Sequence, residues 1–444
     1  MVKKRQTLRL ALCSRRNLSV VVLGVVTLFA LRHDGGLEKL FSFGSSKNDI
    51  SGVKDTRQLA ATADYVNKDL PEVSPKKQYH VILPCDGRIY HEWQARVFYF
   101  WYLRIKGKKP KNMGGFTRIL HSGEPDDWMH EIPTVIVKPL PADLEKIADG
   151  YVMLNRPYAI LQWVKEYMPS IKEHFVLLAE PDHLLIRAPP LWATYNRPSA
   201  YPFFYIKPSE EKNAKIIQKY NPKDVPLKQF FPVGPSPLMI SKKQLGPISS
   251  KWFNISFALK QDKEAFELWG WTSEMYAFSI AAAVTPEGPK AFNLRPEFMA
   301  QPPWDKELNG KNGRRAALIH YTYSNDFDPE GTFTPAVIGK WHFDKRDYID
   351  HYPLNRTKRP PPGCDNSATR LFIKCINIAA RSLEGWQDRA YKSASEIVRY
   401  FGYEGDVLDI DDPEMKTSST DVDDYTDDVD LEEIDEATEE DYDE

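Results

Sequence analysis

Cysteine is scarce in this chain of 444 residues, which contains four. Cys13 precedes an apolar segment, and the other three, Cys85, Cys364 and Cys375, allow one disulfide at most and leave one thiol over. No combination of cysteine and histidine has the spacing of a zinc site. The sequence therefore excludes a scaffold built on disulfides or structural zinc, and the apolar residues, 42% of the chain, must supply the core.

Several common catalytic and binding motifs are also absent. The chain has neither the phosphate loop GxxxxGK[ST] nor the dinucleotide pattern GxGxxG, and Met113–Phe116 (MGGF) is too short to be either. It has no Gly-x-Ser-x-Gly elbow and no zinc finger or RNP-like pattern. These absences disfavour an ordinary NTPase, a dinucleotide-dependent enzyme, a serine hydrolase and a nucleic-acid-binding protein.

Charge is distributed unevenly along the chain. Residues 406–444 contain 20 acidic residues and one lysine, whereas the rest of the chain contains 58 Lys and Arg against 42 Asp and Glu. This composition predicts a solvated, disordered tail with a solubilising role, and a tether for cations or basic partners is the alternative.

The N-terminal segment has the pattern of a membrane anchor. Residues 1–16 carry six cations and no acid, and they precede an apolar run of 14 residues, Leu18–Leu31, that Arg32 closes. This order predicts that the chain after the run faces a lumen. The run is shorter than the roughly 20 residues that span a bilayer, but no small-x-small cleavage site follows it, which favours an anchor over a signal peptide. We expect a cytoplasmic tail at 1–17, an anchor at 18–32 and a stem at 33–77.

A lumenal chain can be N-glycosylated, and two tripeptides match the acceptor pattern. They begin at Asn254 and Asn355. The second lies in a polar, proline-flanked stretch, which makes it the better candidate for a surface site.

From residue 78 onward, short apolar runs alternate with segments of helical periodicity. Strands are predicted at Tyr79–Pro84, Phe116–Leu120, Thr134–Val137, Phe175–Ala179, Tyr201–Ile206, Leu238–Ile240 and Ala316–His320. Helices are predicted at His91–Arg104, Arg156–Tyr167, Glu210–Tyr220, Ser241–Leu259, Thr272–Ala283 and Ala368–Tyr400. The alternation predicts one α/β domain at 78–350 with a mostly parallel sheet covered on both faces, followed by a proline-rich loop and helix at 351–405.

Polar residues follow these strands, where open α/β sheets bind their ligands. Glu180 and Asp182 come after a buried strand, and alternation along extended backbone would direct both into one crevice. Carboxylate oxygens suit Mg²⁺ or Mn²⁺, the ions that a nucleotide-sugar transferase uses to stabilise its diphosphate leaving group. The alternative is a loop in which Asp182 caps the backbone and Glu180 is solvated.

Three further sets of residues are candidates, each with a structural alternative. His320 follows another strand and can complete a metal shell as a neutral imidazole, although a lone histidine there is more often a hydrogen-bonded structural residue. Glu274, in an apolar helix start, is either a favourable N-terminal charge or a group directed at the reacting centre. Trp271 and Trp304 can line a groove for sugars or a proline-rich peptide, or they belong to the core.

Seven segments, in this order along residues 78–363, resemble the hydroxyproline O-arabinosyltransferase family of plants and green algae. They are Met113–Gly123 (MGGFTRILHSG), Leu154–Pro157 (LNRP), Ala179–His183 (AEPDH), Tyr201–Tyr205 (YPFFY), Gln301–Asp305 (QPPWD), Ile319–Tyr323 (IHYTY) and Phe343–Arg346 (FDKR). The proline-rich segment Pro360–Gly363 also fits the family pattern.

The resemblance implies a GT-A-like nucleotide-sugar domain behind a single N-terminal anchor in the Golgi membrane, with the cis-Golgi or the endoplasmic reticulum left open. It implies retaining transfer of L-arabinofuranose from UDP-β-L-arabinofuranose to 4-hydroxyproline of secreted, extensin-like wall glycoproteins. Two alternatives are a related transferase that uses another UDP-sugar such as galactose on hydroxyproline or serine, and a non-catalytic, membrane-anchored binder of proline-rich glycoproteins.

Roles for individual residues are predicted from two sources: the metal ligands from this resemblance, and the other roles from the residue patterns and the reaction they suggest. The cofactor is a divalent metal, with Mn²⁺ expected, held by Asp182 with Glu180 beside it and His320 as the third ligand. Asp182 and Glu274 are the predicted catalytic residues. The predicted donor-binding residues are Asp86, Arg118, Asn155 and Arg156. Trp271 and Trp304 are the predicted acceptor-binding residues, and no nucleic-acid partner is expected.

Overall fold

The structure, a computed structural model, describes residues 76–309, 313–335 and 337–390. The predicted anchor, the acidic tail and all of the predicted stem except its last two residues lie outside this part of the chain. No helix within the described ranges is long and apolar enough to cross a membrane. Apart from 335 and 337, the described residues belong to one compact unit.

Twelve strands and eight α-helices are present in the described part of the chain. The strands are β1 (Lys76–Cys85), β2 (Met113–Leu120), β3 (Thr134–Ile136), β4 (Glu173–Leu178), β5 (His183–Leu185), β6 (Ser199–Pro202), β7 (Val233–Ser241), β8 (Asn293–Leu294), β9 (Met299–Ala300), β10 (Leu318–His320), β11 (Asn325–Phe327) and β12 (Trp341–Phe343). The helices are α1 (Ile89–Gly107), α2 (Ala142–Ala148), α3 (Asn155–Glu166), α4 (Glu211–Lys219), α5 (Lys242–Gln261), α6 (Lys263–Trp269), α7 (Ser273–Val284) and α8 (Ser367–Ser382).

Seven strands form the central sheet in the order β3-β2-β1-β4-β7-β6-β8. β7 is antiparallel to both of its neighbours, and the other pairs are parallel, so six strands run in one direction. Every residue of β7 is buried, as is every residue of β1 from Tyr79 onward. Because successive side chains point to opposite faces, both faces of the sheet are covered. The predicted mostly parallel α/β architecture is confirmed.

The two glycines at the start of β2 are explained by packing against the neighbouring strands. A Cβ at Gly114 would lie 2.4 Å from Cγ of Glu173, and one at Gly115 would lie 2.8 Å from Nδ1 of His80. The Glu173 carboxylate accepts a hydrogen bond of 2.7 Å from the Gly115 amide. The glycines therefore make room for a buried polar contact between strands and do not form a phosphate loop.

Two of the predicted elements differ from the structure. The strand expected at Tyr201–Ile206 is β6, which ends at Pro202 because the chain then turns. The helix expected at Ala368–Tyr400 ends at Ser382, where Leu383 becomes extended; residues beyond 390 are outside the described part. α2 and α6, each of seven residues, were not predicted, because so short a segment displays too few turns for a periodic pattern.

A second apolar core joins the C-terminal part of the chain to α1. The indole N–H of Trp101 in α1 donates to the carbonyl oxygen of Cys375 in α8 at 3.2 Å. Phe372 of α8 stacks on Tyr321, with ring centroids 4.9 Å apart. This core supports the three-stranded sheet β5-β10-β9 and the hairpin-like pair β11-β12 beside the end of β4.

The three cysteines that the structure describes are buried and free. Cys85 lies in the core around the central sheet, whereas Cys364 and Cys375 lie in the second core. Burial raises the pKa of Cys85 and of Cys375 to about 12. These thiols therefore act as small apolar core residues.

Candidate active site

The segment after β4 turns and places Asp182 against a histidine from a distant part of the chain. Pro181 and Asp182 form the turn, and His183 begins β5. Antiparallel pairing of β5 with β10 sets His183 opposite His320. The two imidazole rings meet edge to face with centroids 4.7 Å apart, and His320 Nε2 lies 3.1 Å from Asp182 Oδ2.

This trio has the donor set and the spacing of a divalent-metal site. One ligand atom from each of Asp182, His183 and His320 lies within 4.8 Å of the others. Nε2 of His183 and Nδ1 of His320 are buried without a hydrogen-bond partner among the residues that the structure describes. Burial and the neighbouring His320 lower the pKa of His183 well below its usual value, which keeps the imidazole neutral, as a metal ligand must be. The residues present therefore fit a divalent cation.

Glu180, the predicted oxygen ligand beside Asp182, is directed elsewhere. Its two oxygens accept hydrogen bonds from Nη1 and Nη2 of Arg156, at 3.1 and 2.9 Å. It is therefore not part of the cluster of three, in which His183 takes its place. The metal-binding roles of Asp182 and His320 remain predictions. The geometry favours Glu180 as a residue that positions Arg156.

Lys345 reaches the site from the C-terminal part of the chain. It begins a short 3₁₀ turn (Lys345–Asp347) after β12, and its buried ammonium donates to Oδ2 of Asp182. Burial disfavours the charge of Asp182, but Lys345 and His320 more than offset this effect and hold the pKa of Asp182 well below its usual value. Asp182 is thus an anion over the whole physiological pH range.

Arg156 also lies beside a second, more deeply buried carboxylate. Glu274, in the first turn of α7, is fully buried, and its Oε2 lies 3.8 Å from Nη1 of Arg156. Neither of its oxygens has a hydrogen-bond partner among the residues that the structure describes. Burial raises the pKa of Glu274 from 4.5 to about 7, an effect that Arg156 opposes and Glu180 reinforces. A carboxyl group poised near neutrality beside a cationic side chain is the kind of group that transfers or orients protons in enzymes.

Two other predicted donor-binding residues, Asp86 and Asn155, lie at the ends of different elements. Asp86, at the end of β1, accepts hydrogen bonds from the backbone and Nε of Arg88 at 3.0 and 2.7 Å. It lies at the carboxyl edge of the sheet, close to His121 at the end of β2, whose pKa burial lowers to about 4. Asn155 begins α3, and its amide donates to the carbonyl oxygen of Val152 at 3.1 Å.

Arg118, which was predicted to bind the donor, is engaged in an ion pair with the loop after β2. Its side chain is buried within β2, and the guanidinium makes two hydrogen bonds to Asp126, at 2.8 and 2.6 Å, and one to Thr134 at 2.9 Å. These contacts connect β2 to β3 and to the loop between them. The geometry therefore favours a structural ion pair for Arg118, because three of its five N–H donors are already engaged, and its donor-binding role stays a prediction.

The predicted acceptor-binding tryptophans are both exposed. Trp271 is 62% exposed and Trp304 is 50% exposed, so neither is a core residue. The edge of Trp271 meets Tyr151, whose hydroxyl accepts a hydrogen bond from the Glu274 amide at 3.2 Å. Trp304 meets Phe333 edge to face at 5.0 Å. Tyr151 thereby connects Trp271 to the backbone of Glu274, the residue that carries the buried carboxylate.

The sequons lie in different surroundings. Asn254 is in the middle of α5, where the hydroxyl of Ser256 is buried and donates to the carbonyl oxygen of Trp252 at 2.7 Å. Asn355 lies in a turn and is partly exposed. Both asparagines are partly exposed, but the tripeptide at Asn355 lies outside the helices and its Thr357 is partly exposed, whereas Ser256 is buried. The structure therefore favours Asn355, and modification of either residue remains a prediction.

Comparison with known proteins places this site in a family context. The model of the hydroxyproline O-arabinosyltransferase family N-terminal domain matches residues 79–290, and that of the C-terminal domain matches residues 317–387. The chain belongs to the hydroxyproline O-arabinosyltransferase family. The site draws on both matched segments, because Asp182, His183 and Glu274 lie in the first and His320 and Lys345 in the second.

Two hydroxyproline O-arabinosyltransferases match this chain over most of their length, and a more distant relative matches it over part of its length. Hydroxyproline O-arabinosyltransferase PLENTY of Lotus japonicus is 41% identical over 349 residues, which cover 78% of this chain and 92% of the relative. Hydroxyproline O-arabinosyltransferase NOD3 of Pisum sativum is 42% identical over 342 residues, 77% of this chain and 98% of the relative. A peptidyl serine alpha-galactosyltransferase of Arabidopsis thaliana is 23% identical over 73% of this chain and 39% of its own length.

Two residues of the site were missed by reasoning from the sequence. His183 directly follows Asp182 just after a buried strand, and this position next to a predicted ligand could have indicated a second histidine ligand. Lys345 lies in the segment Phe343–Arg346, which carried part of the family resemblance but no chemical assignment. A basic residue in a family-specific segment, next to a short strand, was the signal that could have found it.

Proposed function

We propose that the protein is a retaining glycosyltransferase that moves L-arabinofuranose from UDP-β-L-arabinofuranose to 4-hydroxyproline of secreted, proline-rich glycoproteins. The observation that carries the proposal is the Asp182–His183–His320 cluster at the end of β4, in a chain of this family. The proposal includes a GT-A-like fold, a Golgi location and an N-terminal anchor, which the composition of residues 1–32 supports.

Asp182, His183 and His320 would hold the divalent metal, for which we propose Mn²⁺. When bound, such an ion supplies positive charge that stabilises a diphosphate leaving group. The cluster lies where the chain leaves the carboxyl end of β4, the edge at which open α/β sheets bind nucleotides. Asp86 and His121 at the ends of β1 and β2 are the candidates for contacts with the nucleoside part of the donor.

The residues of this chain supply the remaining functions. Arg156 is held by hydrogen bonds to Glu180, and its Nη1 also lies 3.8 Å from Oε2 of Glu274. Glu274 therefore is placed to orient a hydroxyl of the sugar or of the acceptor, and its raised pKa lets it exchange a proton near pH 7. Because the departing diphosphate can itself accept the proton of the attacking hydroxyl, the mechanism requires no strong protein base.

The exposed tryptophans fit an extended acceptor. A hydroxyproline run forms a polyproline helix, which is already ordered and has no internal hydrogen bonds. Aromatic surfaces bind such helices through flat apolar contacts. Trp271 and Trp304 are the residues that we propose for this contact, since both are exposed.

A donor and acceptor panel tests the proposal. The full chain is incubated with UDP-β-L-arabinofuranose or UDP-galactose, Mn²⁺, and peptides that differ only in hydroxyproline, proline or serine, and products are identified by mass. We expect a pentose to be added to the hydroxyproline peptide alone. Asp182→Asn should abolish transfer, whereas the matched control Asp365→Asn, at an exposed ion pair with Lys306, should not.

Other outcomes of the panel would contradict the proposal. Addition of a hexose from UDP-galactose in place of the pentose would favour the galactosyltransferase alternative. Equal reaction of proline and hydroxyproline peptides would exclude the proposed acceptor, because proline has no hydroxyl. Binding of the peptide without any transfer would favour the non-catalytic binder.

A further inference from the structure

Lys345 is a buried cation whose hydrogen-bonding capacity Asp182 does not exhaust. Its side chain is 11% exposed, and its ammonium donates to Oδ2 of Asp182. An ammonium group has three N–H donors, and a single carboxylate oxygen accepts one of them. Tyr90 is a second neighbour of the ammonium: its ring centroid lies 6.0 Å from Nζ, and its hydroxyl interacts with Lys345 through a side-chain hydrogen bond. One N–H donor is left when Asp182 and Tyr90 each engage one. Lysine is seldom buried unless it is paired with an anion, so a buried ammonium at this position is stabilised by negative charge around it.

The turn that carries Lys345 is held in place by contacts that do not involve Asp182. His342 in β12 bonds Asp347 through Nε2 and Asp326 through Nδ1, each at 2.7 Å. Asp344 caps the turn by accepting a hydrogen bond from the Arg346 amide at 2.9 Å. The backbone of Lys345 is therefore positioned by its own neighbourhood. A group held on a rigid element in this way is preorganised for a ligand.

Lys345 also shares its acceptor with the candidate metal site. The oxygen that it contacts, Oδ2 of Asp182, is the one that lies 3.1 Å from His320 Nε2 within the cluster. A divalent cation and an ammonium group repel each other, and both seek the same carboxylate oxygen. Lys345 next to an occupied cluster would therefore have an N–H donor available for another anion. Arg156, which contacts Glu180 and interacts electrostatically with Asp182, adds a second cation near the cluster.

We propose that Lys345 binds the diphosphate of the nucleotide donor and stabilises the negative charge that this group gains as the sugar departs. The inference rests on the function proposed above and names a residue that contacts the same donor. Lysine is a common phosphate ligand because its ammonium acts as a compact point charge. The simpler alternative is that Lys345 only neutralises Asp182 in the folded chain.

Binding of UDP and UMP, measured by calorimetry on the full chain without sugar or acceptor, tests the inference. The measurements are made in EDTA and again with Mn²⁺. In EDTA we expect the wild type to bind UDP about tenfold or more tightly than UMP, because the second phosphate reaches the ammonium. Lys345→Met should reduce this ratio to about one, and Lys345→Arg should retain most of it. Lys219→Met, at an exposed ion pair with Asp262, is the matched control and should change nothing.

A second comparison protects the test against misfolding. Lys345→Met leaves a buried carboxylate unpaired, which can destabilise the chain. Asp182→Asn removes that charge and frees the ammonium, so its UDP affinity in EDTA should equal or exceed that of the wild type. Adding Lys345→Met to Asp182→Asn, where no charge is left unpaired, should then remove the preference for UDP.

The outcomes separate the inference from the proposed function. If the wild type binds neither UDP nor UMP with or without Mn²⁺, the proposed nucleotide-sugar transferase is wrong, and so is the role of Lys345. If Lys345→Met keeps the wild-type preference for UDP under the same metal condition, or if the double variant keeps the preference of Asp182→Asn, Lys345 does not bind the diphosphate and the transferase proposal is unaffected.

Discussion

Replacing Glu274 with glutamine separates what this carboxylate costs the fold from what it contributes to the reaction. Its side chain is fully buried, and neither oxygen has a hydrogen-bond partner within the described part of the chain. The nearest cation, Nη1 of Arg156, is 3.8 Å away and is already engaged by Glu180. At pH 8 the folded protein therefore holds a poorly compensated negative charge in an apolar helix start.

The cost of this charge follows from the pKa of Glu274, which burial raises from 4.5 to about 7. Each pKa unit corresponds to 1.36 kcal/mol, so the rise amounts to about 3 kcal/mol. Because the pKa is higher in the folded state, the full stability is present below pH 4.5 and is lost as the pH rises through about 7. Glutamine has the same shape without the charge. Glu274→Gln should therefore be about 2–3 kcal/mol more stable than the wild type at pH 8, and no more stable at pH 4.

The assay is the free energy of unfolding in urea, measured from pH 4 to pH 8, together with the initial rate of transfer. We expect the rate to fall about tenfold or more, because a neutral glutamine binds and orients a substrate hydroxyl less strongly than the charged carboxylate does. Glu297→Gln is the matched control, since Glu297 is also buried but is paired with Arg295 at 3.1 Å and Arg314 at 3.7 Å. It should lose stability at pH 8.

Two results would refute this reasoning. A loss of stability in Glu274→Gln at pH 8 would mean that the carboxylate has a stabilising partner in the folded chain. A gain of equal size at pH 4 and pH 8 would mean that the effect does not come from the charge. Unchanged transfer by a stabilised variant would leave the energetic argument intact and exclude Glu274 from the reaction.

Two further predictions concern other parts of the chain. Burial opposes the charge of His342, but its hydrogen bonds to Asp326 and Asp347 raise its pKa to about 10, so its stabilising effect is present below pH 6.5 and lost as the pH rises through 10. Between pH 7 and pH 10 the free energy of unfolding of the wild type, measured in urea, should therefore fall by about 1 kcal/mol per pH unit more than that of His342→Gln. If the two proteins show the same dependence of this free energy on pH, His342 does not have this stabilising role. Asn355→Gln, but not Asn254→Gln, should remove a glycosidase-sensitive mass shift from chain made in a secretory pathway; the opposite pattern would contradict the exposure argument.

The central sheet was predictable because several of its strands contain short, continuous apolar runs. β1 and β4 read as short, continuous hydrophobic runs, the pattern of a strand that is covered on both faces. β5 has only three residues and is held in place by antiparallel pairing with β10. β5 was not predicted for that reason, since a segment of this length has no pattern of its own.

The candidate site was predicted in part, and the error has a specific physical origin. Alternation along extended backbone would have placed Glu180 and Asp182 on one side, but the chain turns at Pro181 and the alternation ends there. Glu180 therefore contacts Arg156, while Asp182 meets His320. A turn can be anticipated from proline, but the direction in which it sends the next side chain depends on the tertiary partners.

Long-range contacts set the electrostatics of this site in a way that local sequence cannot show. His320 and Lys345 lie 138 and 163 residues beyond Asp182. They reach it because β10 pairs with β5 and because the hairpin-like pair β11-β12 ends in the turn that carries Lys345. Without these two residues Asp182 would lose the interactions that lower its pKa most, and burial would raise its pKa. The C-terminal segment therefore keeps Asp182 ionised, which is the state that both a metal ion and the ammonium of Lys345 require.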